Sequence, residues 1–426
     1  MRIRDLVIRN IVSPYGMTFA ALLLFLVAFL FPPGLYSSYV QEPDLMFLDP
    51  ASLAFFLLCT LGFLLGLMLI DFVFPVRGFR YEKRETRISP MWFLLVPLIA
   101  GTALTILSIV LLLRNNTYLL ELLLAAEGRQ LKSDGGIDLE GTISLATPVL
   151  MGIVWWAIWR KNQFSIRGWR RFTVHSTIIV ATLTMLVSST LRLARGDLMP
   201  MFAGIAILFL LHRLMSGRLR GVSVLKFVAF CTVSIVALFI LFSMLRGLST
   251  PDDLIGNILG YTIGAYNRLA AVVNGRLRYP FSGRGLYISG FVSFNKTFNE
   301  LFRVNQLFAW PDFDTVWQSE FGAVTAAGLD GRLLWSGTFG YIFSDLKWLS
   351  PLFLFIYGLG TGWAWRLLKL GKTTGIVLYP WCAFCILFWF GTNYLLDPRA
   401  VVLLLVAISL GLYELIFVRA SVRVVH

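Results

Sequence analysis

The chain alternates long apolar runs with short, charged connections. Windows of about 19 residues, the length a helix needs to cross a hydrocarbon layer, pick out ten near-continuous runs. They fall near residues 17–36, 51–74, 91–113, 143–159, 173–191, 199–215, 226–245, 348–368, 375–396 and 399–418. The first follows Met1-Arg2-Ile3-Arg4-Asp5 in the manner of a signal peptide. No small-residue cleavage site comes after it, only Phe31-Pro32-Pro33-Gly34, so it reads as a retained span.

The connections sort by charge. Arg2, Arg4 and Arg9 precede the first run. Arg77, Arg80, Lys83, Arg84 and Arg87 fill the second connection, and Arg160, Lys161, Arg167, Arg170 and Arg171 the fourth. Arg213, Arg218, Arg220 and Lys226 fill the sixth; Arg366, Lys369 and Lys372 precede the ninth run, and Arg419 and Arg423 follow the tenth. If every run crosses, all of these lie on one side, with only Asp5, Asp71, Glu82, Glu85 and Glu414 as acids beside them. The positive-inside rule then puts both termini in the cytoplasm. The formal net charge of +14 is thus a topology signal. A nucleic-acid footprint would cluster on a soluble domain, which is lacking, so no nucleic-acid partner is expected.

One connection breaks the rhythm. Residues 246–347 join the seventh and eighth runs on the outer side, dividing the chain into 1–245 with seven spans, the large loop, and 348–426 with three spans and a tail. Connections of that length are usually functional. Within it, 254–274 has helical apolar spacing with Tyr261, Tyr266 and Arg268 and predicts an interfacial helix. Turn signals follow over 283–290, then an aromatic stretch over 291–317. No sequence repeat suggests two inverted halves, which weighs against a transporter.

Composition closes the question of class. Hydrophobic residues make up 58% and charged residues 14%, and mean hydropathy is +0.77; a soluble domain carries about 25% charge. Disorder, a secreted disulfide scaffold and an ordinary cytosolic enzyme are excluded. The 36 Phe and 13 Trp fit lipid-facing and interfacial positions. The expectation is an all-α polytopic membrane protein of about ten transmembrane helices, eleven or twelve if re-entrant segments are counted.

Arginine on the outer side is the informative anomaly. Arg114, Arg129, Arg192, Arg195, Arg246, Arg268, Arg276, Arg278, Arg284, Arg303, Arg332 and Arg399 stand there beside only Lys132, Lys296 and Lys347. Arg192 and Arg195 share a helical face at the end of the fifth run, Arg246 ends the seventh and Arg399 begins the tenth. Guanidinium binds phosphate oxygens bidentately, so these span ends predict an anion site. The alternative is snorkelling to headgroups, or pairing with local acids, as Asp197 with Arg195. Candidate proton acceptors are Asp312, Asp314, Glu320, Asp330, Asp345 and Asp397. Asp312-Phe313-Asp314 spells the D-x-D of metal-dependent sugar transferases, but no nucleotide sugar is expected outside the cytoplasm. Asp397-Pro398-Arg399 sets an acid and a base on one turn, where a structural salt bridge is the alternative. Cys382 and Cys385 form a C-x-x-C inside an apolar run and read as packing residues. His175, His212 and His426 lie far apart without zinc spacing. No ionisable residue falls at the centre of a confident run, against the habit of pumps and carriers.

Over most of its length this layout resembles the O-antigen polymerase (Wzy) family of bacterial inner-membrane proteins, also called oligosaccharide repeat unit polymerases. Ser189-Thr190-Leu191-Arg192-Leu193-Ala194-Arg195-Gly196-Asp197, followed by a long apolar run, is similar to the family's small-residue–Arg–small-residue signature. Leu307-Phe308-Ala309-Trp310-Pro311 is similar to its aromatic-Pro stretch late in the large loop. Gly337-Thr338-Phe339-Gly340-Tyr341, with the later Gly358-Leu359-Gly360-Thr361-Gly362, is similar to its re-entry into the membrane. The chain departs from the family in having Asp312 where Lys is common, and Lys347-Trp348 where a Gly is common.

The resemblance implies a GT-C-like fold with one large periplasmic loop, in the inner membrane. It implies a glycosyltransferase that joins undecaprenyl-pyrophosphate-linked repeat units into O-antigen, capsule or exopolysaccharide (lipopolysaccharide and other surface-polysaccharide biosynthesis). Arg192, Arg195, Arg246, Arg268 and Arg399 would hold the pyrophosphate, and Asp397, Glu320 or Asp314 would take the acceptor's proton. Arginine supplies the positive charge, so no metal and no cofactor is required. Partners would be the lipid-linked glycan, membrane lipid and a chain-length regulator. Two alternatives stay open. An O-antigen ligase shares the layout but carries a His in the large loop, which has none here. A polysaccharide-lipid flippase predicts a charged central cavity.

Overall fold

The computed structural model describes residues 11–40, 42–44, 49–76, 78–79, 85–86, 89–116, 145–164, 166–192, 195–215, 250–294 and 302–419, with isolated positions between. The helices among them are α1 Pro14–Phe29, α2 Pro33–Tyr39, α3 Pro50–Val73, α4 Pro90–Asn115, α5 Ala146–Arg160, α6 Gly168–Leu191 and α7 Arg195–Met215. After these come α8 Pro251–Val273, α9 Phe313–Ala326, α10 Gly337–Leu346, α11 Ser350–Lys369, α12 Thr373–Leu387 and α13 Pro398–Phe417. A two-residue antiparallel pair, β1 Glu85–Thr86 with β2 Val418–Arg419, is the only sheet among the described residues.

The protein is a helical membrane protein. Among the described residues, six helical stretches are long and apolar enough to cross a bilayer: α3, α4, α6, the body of α7, the α10–α11 stretch and α13. A seventh is counted if α1 and α2 are taken as one span. Those two correct the reading of 17–36 as one straight helix, because the chain bends by 90° between them. Pro32 and Pro33 are the physical reason: neither can donate to the preceding turn, and the ring clashes with it. The runs at 143–159 and 375–396 yield only the 15-residue α5 and α12, about 22 Å each against a hydrocarbon core of about 30 Å. Beyond Leu387 the chain turns irregularly through Trp389 to a single 3-10 turn at Tyr394–Leu396. Of the run at 226–245, the stretch 240–244 and scattered positions before it are described, all of them helical.

Glycine sets the closest helix pair. A Cβ on Gly62 or Gly66 of α3 would stand 2.3 Å from Pro351 O or 2.2 Å from Phe355 O, and one on Gly358 of α11 2.2 Å from Phe63 O. The two backbones therefore touch, as small-residue spacing allows in lipid. α12 forms the centre, packed on α1, α5, α7, α11 and α13, and its residues from Gly375 to Ile386 are nearly all buried. Aromatic residues are divided between lipid and interior rather than confined to the lipid face. Phe25, Phe56, Phe339 and Trp389 form an interior cluster joining α1, α3 and α10 to the turn after α12, while Phe72, Trp169 and Phe172 are exposed.

Helix ends gather in two sets. At one end Arg160 is completely buried, donating to Glu414 Oε1 and Oε2 (2.6 and 2.9 Å), Gln163, Thr373 and Gly371 O. Lys369 approaches Asp71 (3.5 Å), which accepts from the Tyr15 hydroxyl, and the β1–β2 pair lies beside the end of α13. The other end carries the starts of α5, α7 and α13 and the end of α6. The 254–274 segment forms α8 as a helix, but its second half from Gly260 to Val272 is buried against α1, α2, α3 and α10.

Candidate anion-binding site

The end of α6, the start of α7 and the start of α13 converge on one carboxylate. α6 stops at Arg192, which caps its last turn, and α7 opens at Arg195 with Asp197 in its first turn. Asp197 accepts from Arg192 Nη2 on Oδ2 at 2.6 Å and pairs with Arg399 Nε through Oδ1 at 2.7 Å. Arg192 also donates to Thr147 Oγ1 at 2.6 Å, which ties in the start of α5. Asp397 caps α13: it accepts from the Arg399 backbone N–H at 2.8 Å and from Arg399 Nη1 at 2.7 Å.

Burial grades the four side chains. Arg192 and Asp197 are 7% and 3% exposed, Asp397 17% and Arg399 27%, so Arg399 is the member open to a ligand. Its Nη2 has no acceptor among the described residues. A Cβ on Gly196 would stand 3.4 Å from Arg399 Nη1, Arg399 Nη2 and the Tyr394 hydroxyl alike. The missing side chain therefore leaves a shelf at the N-terminal turn of a 21-residue helix, where unpaired backbone N–H groups favour an anion. Burial pushes the Asp397 carboxyl above its ordinary range, against the opposing pull of Arg399.

The other expected residues are placed as follows. Arg268 belongs to a different, fully buried cluster. Its Nη2 donates to Glu42 Oε2 at 2.7 Å, and Glu42 also accepts from the Tyr36 hydroxyl, Asn267 Nδ2 and the Asp330 backbone N–H. Arg268 is thus taken up in pinning α8 to the segment after α2 and is not brought to the Arg399 shelf. Glu320 on α9 is 4% exposed and shares an interior with Tyr279, Tyr287 and Tyr341, whose rings lie 5.2–5.7 Å apart. Burial raises its carboxyl to about 8, the Tyr287 hydroxyl acting in the opposite sense. The side chains of Arg195 and Asp314, and the whole of Arg246, lie outside the described residues. Asp312 accepts from Thr315 N at 2.7 Å and so caps α9. Asp330 accepts from Nε and Nη2 of the exposed Arg332, which holds its carboxyl below the usual range despite burial.

One cluster of bonds orders the large loop, and two contacts bring it to the site. The Asp345 carboxylate accepts four backbone N–H groups, from Gly283, Gly285, Tyr287 and Ile288 (2.7–3.2 Å), and fixes the turn predicted there. Asn393 Nδ2 donates to Tyr287 O at 3.4 Å, and a Cβ on Gly290 would stand 3.0 Å from Leu396 O. The Glu320 cluster and the Asp397–Arg399 corner are thereby held on neighbouring segments. Thr147, Asp197 and Tyr394 were missed as site residues, although the Arg192–Asp197 spacing across a helix break is the signal that could have found the second.

No family model, curated protein or solved structure matches the chain. Function therefore rests on the geometry and chemistry of the residues themselves.

Proposed function

We propose that the protein is a metal-independent glycosyltransferase of the O-antigen polymerase kind, joining polyprenyl-pyrophosphate-linked oligosaccharide repeat units at the outer face of a bacterial inner membrane. The observation that carries this reading is the Arg192–Asp197–Arg399–Asp397 quartet, drawn from three helix ends with one guanidinium left open above Gly196. In this reading ten spans place both termini in the cytoplasm and 246–347 outside, so the quartet faces the compartment where lipid-linked glycans are extended.

The chemistry follows from charge. The donor's pyrophosphate seats on Arg399 Nη2, the Tyr394 hydroxyl and the first turn of α7. Asp197 holds Arg192 and Arg399 in place, so their orientation is fixed before the ligand arrives. The acceptor sugar's hydroxyl attacks the anomeric carbon, the C1–O bond breaks, and its electron pair leaves on the pyrophosphate, where guanidinium charge stabilises it. Asp397, made more basic by burial, takes the hydroxyl proton. Glu320, protonated below a pH of about 8, is a hydrogen-bonding acid in this scheme rather than the base. Arg268, occupied by Glu42, has a structural part. A chain-length regulator is the protein partner this reading implies.

Deletion of the gene in its host tests the reading. Surface glycan should remain, capped at a single repeat unit. Loss of all surface glycan, with lipid-linked units retained on the cytoplasmic leaflet, would point to a flippase instead.

A further inference from the structure

A groove of about 500 Å³ lies between α4 and α6 on the outside of the bundle. Thr102, Ala103, Ile106, Trp169, Phe172 and Ser176 are among the residues that line it. Ala103 and Ser176 are small, and the Thr102 hydroxyl is turned into its own helix, donating to Leu98 O at 2.7 Å. The groove is open: Trp169 and Phe172 are each 71% exposed. Along α6 the groove runs from Trp169 to Val180, about 16 Å of helix, a trough proportioned for a hydrocarbon chain.

Its mouth is electrostatically anomalous. The first turn of a helix is the positive end of its dipole and favours acids. α6 starts instead with Arg167 at its cap position, no side-chain cap, no acid in the first turn, and Arg170 and Arg171 immediately inside. All three arginines are exposed, and none has an ion-pair partner among the described residues. Behind them Lys161 Nζ lies 3.1 Å from His175 Nε2, and His175 Nδ1 donates to Arg171 O at 2.9 Å, so that corner adds positive charge. Burial and the Arg171 charge pull the Lys161 ammonium below its ordinary range, as expected where cations crowd. Positive side chains on a positive helix end, beside a trough that opens to lipid, call for one molecule that is anionic at its head and apolar in its tail.

We propose that this groove is a binding site for an anionic phospholipid of the adjoining leaflet. One acyl chain lies between α4 and α6, and the phosphate is held by Arg167, Arg170 and the free backbone N–H groups that open α6. Charge selects this occupant: a zwitterionic lipid brings its own cation beside its phosphate and leaves the net positive charge uncompensated, and an apolar helix from a second copy would bury the arginines. The site is independent of the Arg399 shelf, which lies at the other end of α6.

Native mass spectrometry of the full-length protein in detergent tests it, with phosphatidylglycerol and phosphatidylcholine of matched chains offered in equal amounts. The wild type should retain one phosphatidylglycerol with a preference of about fivefold or more, the effect of one or more basic side chains near a membrane surface. Arg167→Gln with Arg170→Gln should bring the ratio close to one. Ala103→Leu with Ser176→Leu, which fills the groove and keeps the arginines, should remove the bound lipid. If the arginine variant does not fold, salt at about 0.5 M should lower the wild-type ratio by screening the same charges. Equal retention of both lipids by the wild type overturns the proposal. So does a preference that survives both variants, or a wild-type dimer that the leucine variant dissociates.

Discussion

Asp197 on α7 and Arg399 on α13 form an ion pair of 2.7 Å between residues about two hundred positions apart, and the same carboxylate holds Arg192 at 2.6 Å. One acid therefore orients two guanidinium groups that start from different helices. Arg192 is held almost out of water, while Arg399 keeps an open edge. The pairing turns span-end arginines, which alone would snorkel to headgroups, into a fixed, charge-balanced cluster with one guanidinium edge open.

Asp197→Asn leaves Arg192 buried without its charge partner. Breaking a buried ion pair from one side costs about 3–5 kcal/mol, so the variant should unfold at a clearly lower temperature in detergent. Thr147→Val, which removes one neutral acceptor from Arg192, should lose only about 1–3 kcal/mol. A thermal melt of both variants against wild type checks the order.

The Glu42–Arg268 pair predicts a different pattern. Arg268→Met alone strands a fully buried carboxylate and should destabilise by about 3–5 kcal/mol. Adding Glu42→Gln should restore part of that loss, since the remaining groups are neutral. If the second substitution deepens the loss, the pair is not the element that matters there.

Much of the helical layout was legible because a bilayer tolerates little else: runs near 51–74, 91–113, 173–191 and 399–418 became α3, α4, α6 and α13 within a few residues. The bend after Phe29 was written in Pro32-Pro33-Gly34 but read only as the absence of a cleavage site. The burial of α8 was not legible, because Gly260, Gly264, Ala265 and Ala270 signal close packing only once a partner is known. Span-end position grouped Arg192 and Arg399, and both pair with Asp197. Arg268, expected on an interfacial helix of the large loop, was added to the same set, since nothing local reveals that Glu42 lies against it. Asp397-Pro398-Arg399 was read both as a turn salt bridge and as a site element, and the geometry contains the bridge.

Glu320 gives a pH signature. Its carboxyl titrates near 8 in the folded chain and near the ordinary carboxylate value when unfolded. Between those values the unfolded state has lost a proton that the folded state keeps, so stability falls as pH rises, by up to roughly 1.4 kcal/mol per pH unit. Below both values, and above about 8, this group contributes no slope. Glu320→Gln should flatten the melting temperature between about pH 5 and 8 and melt no lower than wild type at about pH 9. An unchanged slope in the variant would remove Glu320 as its source.

Gly66→Val tests the α3–α11 contact. The added atoms would meet the Phe355 carbonyl, and forcing packed elements apart costs about 1–3 kcal/mol or more. The variant should show lower folded yield on gel filtration, whereas Gly360→Val, at a glycine with open space around it, should not.

The central claim is that Arg399, fixed by Asp197 through Nε and by Asp397 through Nη1, presents its remaining Nη2 to pyrophosphate, and the most direct measurement is repeat-unit extension by purified Arg399→Lys and Arg399→Ala, matched for folded protein. A lost charge-assisted contact is worth about 1.5–3 kcal/mol, or roughly 10- to 150-fold in rate when it is felt in the transition state. Lys keeps the charge but cannot pair with Asp197 and Asp397 and still present a further fixed N–H, so both variants should fall within that range while retaining wild-type helix content. Near-normal extension by both would contradict the account and leave Arg399 as the structural partner of Asp197 and Asp397.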